Sequence, residues 1–310
     1  MEFKHISVLL DESIDGLDIK PNGIYVDGTV GGAGHSEKIL SKLTSGKLIC
    51  FDKDEEALAV AKARLEPLNK NCIFVHRDFK EFREVMDELG IDKVDGILLD
   101  LGVSSYQIDN IERGFSYRES AKLDMRMNRS QTLSAYEVVN NYPYEKLVKI
   151  LYEYSDERFA RRIVSNIVRQ REIAPIENTN ELVNLIEKAY PSALLHKGGS
   201  VSKKTFQALR IEVNGELDKL SECLKDMVER LASGGRICVI TFHSLEDRIV
   251  KHTFKELATN CICPPSAIIC VCNHKASIEL VSRKPILPSQ KEMEENSRSQ
   301  SAKLRIAMKL

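Results

Sequence analysis

The chain has 310 residues, of which 43% are apolar and 29% are charged, and its formal net charge is −1 at pH 7. This mixture is typical of a globular protein with a real core, and it excludes a polycation, so a nucleic-acid partner would have to bind a local basic surface. No run reaches the roughly 18 apolar residues of a membrane helix, and acids at Asp11, Glu12 and Asp15 argue against a secretory signal. We therefore expect a cytoplasmic protein that does not enter a membrane.

The first third of the chain alternates short apolar runs with helical patterns, and Asp54 is the expected cap of the second helix. Short links between these runs favour parallel strands connected by crossing helices, which is a doubly wound α/β sheet. The predicted strands cover residues 24–27, 47–52, 72–76 and 96–100, and the predicted helices cover residues 35–43, 54–65 and 79–89.

The alternation then stops, and residues 132–232 show only helical spacing, predicted as helices over 144–154, 156–171, 179–190 and 202–232. Strand patterns return at 236–242 and 302–308. This order predicts a Rossmann-like core interrupted by an all-helical domain. The predicted organisation is a first core part over 1–108, an inserted domain over 109–213 and a second core part over 214–310.

Four glycines lie between the first predicted strand and its helix, where they allow a tight turn and close approach of a ligand to the backbone. Such a loop can also bind nothing, but the context favours a nucleoside site. Asp52 ends the second strand and follows the glycine loop by about the 20 residues expected of a ribose-binding acid. Phe79 follows the third strand, and Asp100 ends the fourth. The glycines are spaced G-x-x-G-G-x-G rather than the G-x-G-x-x-G of dinucleotide-binding loops. This spacing makes an NAD-dependent oxidoreductase a weaker interpretation without excluding it. Asp27 favours a cationic cofactor.

Long motifs along nearly the whole chain resemble those of the RsmH (MraW) family, the small-subunit ribosomal RNA cytosine-N4 methyltransferases. They are DGTVGGAGHS (27–36), DGILLDLGVSS (95–105), ERGFSY (112–117), LDMRMN (123–128), ERFARRI (157–163), TFQALRIEVN (205–214), GGRICVITFHSLEDRIVK (234–251) and SAKLRIAMK (301–309). The resemblance implies a class I S-adenosylmethionine-dependent methyltransferase core, methylating the exocyclic N4 amine of a cytidine in the ribosomal decoding centre. It also implies cofactor contacts from Ala33, Gly34, His35, Asp52, Phe79, Asp100 and Gln107.

The acceptor amine is a poor nucleophile, so the enzyme has to orient it, and Asp100 is the candidate catalytic acceptor for its hydrogen bond. A role of Asp100 in cofactor binding alone is an equal alternative. Carbon-5 methylation would need a cysteine nucleophile, which the LGVSSYQ loop (101–107) lacks, and Cys263-Pro264 lies far downstream. A non-catalytic ribosome-assembly factor that retains the fold is the alternative function.

Basic residues cluster locally and predict contact with small-subunit ribosomal RNA, while no obligate protein partner is evident. An arginine-rich stretch covers residues 157–172, and residues 196–210 carry several cations and no acid. Gly198-Gly199 is a candidate hinge beside this stretch. The candidate substrate-binding residues are Lys203, Lys204, Arg210 and His243, with His196 and Lys197 in the same stretch.

Four of the eight cysteines, Cys261, Cys263, Cys270 and Cys272, form two C-x-C pairs. Four thiolates can bind zinc, but this spacing differs from the C-x₂₋₄-C of common structural zinc sites. The resemblance implies no required metal, so the sequence predicts a plain or cross-linked loop and no metal.

Overall fold

The computed structural model describes residues 7–68, 71–195, 200–261, 263, 269–272 and 274–310. The chain divides into two compact units, Met1–Gly102 with Lys219–Leu310, and Val103–Asp218. The second unit begins at 103 rather than at the predicted 109, and ends at 218 rather than 213. The reason is local, since the helix Ser105–Asp109 contacts the short 3-10 helix Ile111–Arg113 within that unit. None of the helices among the described residues is long and apolar enough to cross a membrane.

Seven strands of the first unit form one sheet with the order β3-β2-β1-β4-β5-β7-β6. The first five strands are parallel, whereas β7 runs antiparallel to both β5 and β6. The predicted Rossmann-like sheet is therefore confirmed, and its carboxyl edge gathers the ends of β1 to β5. The strands are β1 Ile24–Asp27, β2 Lys47–Asp52, β3 Cys72–His76, β4 Val94–Asp100, β5 Leu231–Thr241, β6 Ile278–Leu280 and β7 Lys303–Lys309.

Both faces of this sheet are buried, because neighbouring residues of each central strand point to opposite cores. On β2, Ile49 and Phe51 lie in one apolar cluster, whereas Leu48 and Cys50 lie in the other. This explains why these strands read as continuous apolar runs rather than as alternating ones.

Helices of the first unit pack on both faces of the sheet, and further helices make up the second unit. They are α1 Leu10–Leu17, α2 Gly34–Lys42, α3 Glu55–Leu65, α4 Phe82–Glu88, α5 Ser105–Asp109, α6 Ala135–Asn141, α7 Tyr144–Ser155, α8 Ala160–Arg171, α9 Thr179–Glu187, α10 Ser192–Leu195, α11 Lys203–Asn214, α12 Leu220–Glu229, α13 Ser244–Leu257 and α14 Gln290–Glu295. Three 3-10 helices are Phe79–Glu81, Ile111–Arg113 and Ser297–Ser301.

The second unit has its own apolar core, built from the inward faces of α6, α7, α8, α9 and α11. Arg113 is buried at 2% exposure beside this core, and its guanidinium donates to the carbonyls of Arg126 and Met127. Asn214 donates to the carbonyl of Met125 and accepts from the amide of Met127. These hydrogen bonds pair backbone groups of the irregular segment around residues 124–128.

Three of the predicted helices differ from the structure by a break or by a later start. The single helix expected over 202–232 is two helices, because Gly215 ends α11 with a left-handed φ of 55°. The helix expected over 79–89 begins as the 3-10 turn Phe79–Glu81, capped by Asp78. The helix expected over 156–171 begins only at Ala160, because Asp156 ends α7 in a left-handed conformation with φ 48°. Asp54 caps α3 as predicted, accepting from the amide of Glu56.

Candidate active site

Three carboxylates end three neighbouring strands at the carboxyl edge of the sheet. Asp27 ends the central strand β1, between Asp52 on β2 and Asp100 on β4. Asp27 pairs in register with Cys50 on β2 and Leu98 on β4. The carboxylates of β2 and β4 each come two residues after these partners. The flanking strands therefore project beyond β1, and the glycine loop leaves β1 between them. Open α/β sheets bind ligands at this edge.

The glycine loop turns sharply and is held to both neighbouring strands. The amide of Gly28 donates to the carbonyl of Leu98 at 2.9 Å, and the amide of Val30 donates to the carbonyl of Phe51 at 2.9 Å. Gly31 has a φ of 45°, which only glycine adopts without strain. Ala33, the residue before α2, has a φ of 63° despite its Cβ. A left-handed alanine is uncommon, and such strain often occurs in ligand-binding loops.

Asp52 fixes the loop through its carboxylate. Its Oδ2 accepts from the amide of Gly31 at 2.9 Å, and its Oδ1 accepts from the amide of Asp54 at 2.9 Å. Each carboxylate oxygen has a second lone pair, so Asp52 retains capacity for hydroxyl donors of a ligand. The residue predicted to bind ribose thus also connects the second strand to the glycine turn.

Asp27 is 1% exposed and binds only its own loop and helix in the described structure. Its Oδ1 accepts from the amide of Thr29 at 3.1 Å, and its Oδ2 accepts from the hydroxyl of Ser36 at 2.6 Å. These contacts fix the start of α2 relative to β1. Asp27 therefore acts on a ligand through its charge and through the loop it holds.

Asp100 has an unfilled acceptor. Its Oδ2 lies 3.7 Å from Nδ1 of His35, while its Oδ1 is buried and has no hydrogen-bond partner among the described residues. The backbone amide of Asp100 donates to the hydroxyl of Thr29 at 2.6 Å, which holds the end of β4 against the glycine loop. A buried carboxylate oxygen without a donor is costly, so this atom fits a ligand that brings one.

Burial raises the pKa values of all three carboxyl groups, and the charges of neighbouring acids raise those of Asp52 and Asp100 further. Burial raises the pKa of Asp52 to about 6 and that of Asp27 to about 6, against opposing hydrogen bonds from backbone and Ser36. The pKa of Asp100 rises to about 8, first through burial and then through the charges of Asp27 and Glu246. The edge therefore favours a cation, which would stabilise the ionised carboxylates.

Phe79 and His35 lie beside the glycine turn. Phe79 is half-buried, and a Cβ placed on Gly28 would come within 3.2 Å of the Cβ of Phe79. His35 is 5% exposed in the first turn of α2, and its Nε2 is 3.0 Å from the carbonyl of Val8. The structure thus brings together six of the seven predicted cofactor residues: Ala33, Gly34, His35, Asp52, Phe79 and Asp100.

The seventh, Gln107, belongs to the second unit and is 4% exposed. It is part of a capping box at the start of α5, in which the amide of Gln107 donates to the hydroxyl of Ser104 at 3.2 Å. In return, Oε1 of Gln107 accepts from the amide of Ser104 at 3.0 Å. The side-chain amide thus has a structural task that the sequence did not indicate.

The predicted RNA-binding residues of the second unit differ in how free their charges are. Lys203 and Lys204 are exposed in the first turn of α11, and neither is paired with a carboxylate in the described part of the chain. Arg210 instead forms a bidentate ion pair with Glu216, with two contacts of 2.8 Å. Its contact with RNA stays a prediction. His196, Lys197 and the hinge at Gly198-Gly199 lie outside the described residues.

His243 lies two residues after the end of β5 in the first unit, where it caps α13. The amide of Glu246 donates to its Nδ1 at 3.5 Å, and Oε1 of Glu246 lies 3.1 Å from its Nε2. Glu246 is 1% exposed and also accepts from the amide of Phe242 at 2.9 Å. Both ring nitrogens therefore face Glu246, and a substrate contact from His243 stays a prediction.

Sequence reasoning did not single out Thr29, Ser36 or Glu246. Thr29 and Ser36 stand within the quoted loop motif, but nothing in a single sequence shows which strand end a hydroxyl will meet. Glu246 was detectable in principle, because an acid three residues after a cap residue is the pattern of a capping box.

Comparisons with known proteins show the family of this chain. A model of the MraW methylase family matches residues 2–310. Ribosomal RNA small subunit methyltransferase H from Finegoldia magna is 53% identical, and that from Clostridium botulinum (strain 657 / Type Ba4) is 56% identical, each over 100% of both chains. A solved rRNA methylase from Streptococcus thermophilus is 12% identical, with 99% of each chain covered and a TM-score of 0.43. The chain belongs to the MraW methylase family.

Proposed function

We propose that this chain transfers a methyl group from S-adenosylmethionine to the exocyclic N4 amine of a cytidine in the decoding centre of small-subunit ribosomal RNA. Family membership supports methyl transfer, and the names of the relatives support small-subunit ribosomal RNA as the substrate. The observation that carries the proposal is the group of three carboxyl groups with raised pKa values around the glycine loop.

S-adenosylmethionine is the methyl donor of this family, and the residues at the carboxyl edge fit it. The cofactor carries a sulfonium and an ammonium group, and it has no pyrophosphate that would need basic residues. The buried Oδ1 of Asp100 has no donor among the described residues and would gain one from a bound ligand. Because three carboxyl groups share this edge, a cation relieves their repulsion, whereas the pyrophosphate of NAD would add to it.

Individual residues have distinct parts in holding the cofactor. Asp52 would accept from the ribose hydroxyls, since each of its oxygens retains a lone pair. Phe79, which is half-buried, would place its ring against the adenine. The strained Ala33 and the first residues of α2 bring backbone close to the ligand. The family resemblance also implies a cofactor contact from Gln107, a residue of the second unit.

When bound, the cofactor supplies an electrophilic methyl group on its sulfonium. The acceptor amine is weakly nucleophilic because its lone pair is delocalised into the cytosine ring, so its orientation is decisive. Asp100 can accept a hydrogen bond from that amine and so direct the lone pair. The same contact would favour the positive charge that develops on the nitrogen. If Asp100 contacts only the cofactor, its substitution will weaken binding of the cofactor more than turnover.

We further propose that the second unit recognises the RNA. Lys204 donates to the carbonyl of Asp156 at 3.0 Å, so the start of α11 lies beside the end of α7. Arg158 follows two residues later and is exposed, as is Arg161 at the start of α8. The contact therefore places two basic segments side by side within this unit, which suits a phosphate backbone. A cytidine in unpaired or distorted RNA could then be extruded for reaction.

Two assays with the purified protein test the proposal. In calorimetry, S-adenosylmethionine should release heat on binding, whereas NAD should not. Isolated small ribosomal subunits should then receive label from methyl-labelled S-adenosylmethionine, and Asp100→Asn should reduce that transfer. Tight binding of the cofactor with no transfer to any small-subunit preparation would instead support the non-catalytic assembly factor. Binding of NAD alone would contradict the proposed cofactor.

A further inference from the structure

Four cysteines lie together in the first unit, in the connection from α13 to β6. Cys261 and Cys263 follow α13, and Cys270 and Cys272 precede β6. Ile278, the first residue of β6, pairs with Lys309 at the end of β7, and Arg236, the partner of Met308, also pairs with Gly96 near the start of β4. The connection therefore lies at the amino edge of the sheet, opposite the carboxylates and the glycine loop.

Hydrogen bonds join the two arms of this connection, residues 256–260 and 274–277, between the sheet and the cysteines. The amide of Ser277 donates to the carbonyl of Leu257 at 2.8 Å, and the amide of Ala276 donates to Oδ1 of Asn260 at 3.1 Å. Nε2 of His274 lies 3.1 Å from the carbonyl of Glu256. This hydrogen-bonded base brings the two C-x-C pairs to the same end of the loop.

The four sulfur atoms converge on one point. All four Sγ atoms lie within 4.8 Å of one another. The Sγ of Cys270 is 3.4 Å from that of Cys261 and 3.5 Å from that of Cys272, and the Sγ atoms of Cys272 and Cys261 are 3.8 Å apart. In a tetrahedral zinc site with Zn–S bonds of about 2.3 Å, neighbouring sulfur atoms are about 3.8 Å apart.

We propose that Cys261, Cys263, Cys270 and Cys272 form a structural zinc site. The prediction of no metal depends on the family resemblance, which implies no required metal, and on the C-x-C spacing, in which the two cysteines of a pair are closer along the chain than in common zinc sites. Spacing alone does not decide the geometry here, because the hydrogen-bonded base sets the approach of the two arms. The separations fit a single tetrahedral ion better than a cluster of several metal ions, which would hold its thiolates farther apart.

The loop also needs a source of stability other than an apolar core. Ile269 is 75% exposed and Val271 is 78% exposed, so the apolar side chains beside Cys270 are not buried. A zinc ion held by four thiolates can order such a segment, since metal binding contributes folding free energy directly. With four protein ligands no position is left for a substrate, and the site lies away from the carboxyl edge. The role is therefore structural, and it accounts for Cys263 without nucleophilic catalysis.

The test is the metal content of the full-length protein, purified under reducing conditions without chelators. Wild-type protein and a Cys72→Ser control, which changes a thiol outside the cluster, should each contain about one zinc per chain. The double variant Cys261→Ser/Cys270→Ser should contain less than about 0.1 per chain. Because that variant could misfold, cobalt should also replace zinc in the wild type and give the absorption of a tetrahedral thiolate site.

Two results would overturn the proposal. One is wild-type protein with no more zinc than the double variant and without a tetrahedral cobalt spectrum. The other is an intact mass, after rapid alkylation of a fresh extract, that shows the four cysteines paired as disulfides.

Discussion

The raised pKa of Asp100 makes the affinity for S-adenosylmethionine depend on pH. Without ligand this carboxyl group has a pKa of about 8, so it is mostly protonated near neutrality. A cation favours the ionised carboxylate, and binding should therefore displace the proton. Raising the pH removes that proton in advance, so affinity should increase with pH.

The size of the effect follows from the fraction of Asp100 that is ionised. With a pKa of about 8, roughly 1% is ionised at about pH 6 and roughly 9% at about pH 7, which predicts about a ninefold tighter association. The ammonium group of the cofactor stays protonated over this interval, since ordinary α-amino groups have pKa values of about 8. Asp27 and Asp52, each with a pKa of about 6, add at most about threefold together.

Calorimetry across this interval measures the effect, and Asp100→Asn is the matched control because it removes the titrating group while retaining its size. From about pH 6 to about pH 7, the affinity of the wild type for S-adenosylmethionine should increase about tenfold or more. The affinity of the variant should increase no more than roughly threefold, which is the effect of the other two carboxyl groups. Repeating the titration in buffers of different ionisation enthalpy should show about one proton released per ligand near pH 7 in the wild type. Equal slopes for the two proteins, or an affinity that falls with pH, would refute this role of Asp100.

Three further predictions follow from the same contacts. Asp52→Ala removes the acceptor for the amide of Gly31 and should weaken binding of S-adenosylmethionine by about 10- to 100-fold, measured by calorimetry. Reversing Lys203 and Lys204 to Glu should weaken binding to small ribosomal subunits and lower the slope of log affinity against log salt by about two, measured by filter binding. The melting temperature of the ligand-free protein should fall as the pH rises from about 6 to about 8, because the folded state holds a proton on Asp100 that the unfolded chain has already lost.

Controls separate these effects from loss of folding. For the charge reversal, Lys149→Glu with Lys188→Glu makes the same change in net charge on exposed residues of the second unit and should leave RNA binding near the wild-type level. For Asp52→Ala, an unchanged circular dichroism spectrum is required before the affinity is interpreted. Asp100→Asn should flatten the fall in melting temperature, and an equally steep fall would contradict the assignment.

The central strands were predictable because both faces of the parallel part of the sheet are buried, which leaves continuous apolar runs in the sequence. β6 has only three residues and is too short to give a pattern. α1 begins after the left-handed Leu9 and has only eight residues, so its apolar face is brief. The break at Gly215 was signalled by a glycine after a helical stretch, which is the ordinary sequence sign of a helix end.

At the candidate site, the sequence indicated the strand-end acids because strand ends can be read from apolar runs. The sequence did not indicate which side chains would form ion pairs or helix caps within the protein. Arg210 and His243 carry the charge and chemistry expected of RNA contacts, yet Arg210 pairs with Glu216 and His243 caps α13. Such pairings depend on tertiary contacts. The convergence of the four cysteines is a similar case, because it depends on hydrogen bonds at the base of their loop.

Methyl transfer to one cytidine amine can be measured by mass mapping of methylated nucleosides in small-subunit RNA. Small subunits from a strain that lacks this protein would be incubated with S-adenosylmethionine and either the wild type or Asp100→Asn. The proposed function predicts that the wild type adds one methyl group, on the N4 atom of a decoding-centre cytidine, and that the variant adds much less. A methyl group on carbon 5 or on a ribose, or no difference between treated and untreated subunits, would contradict it.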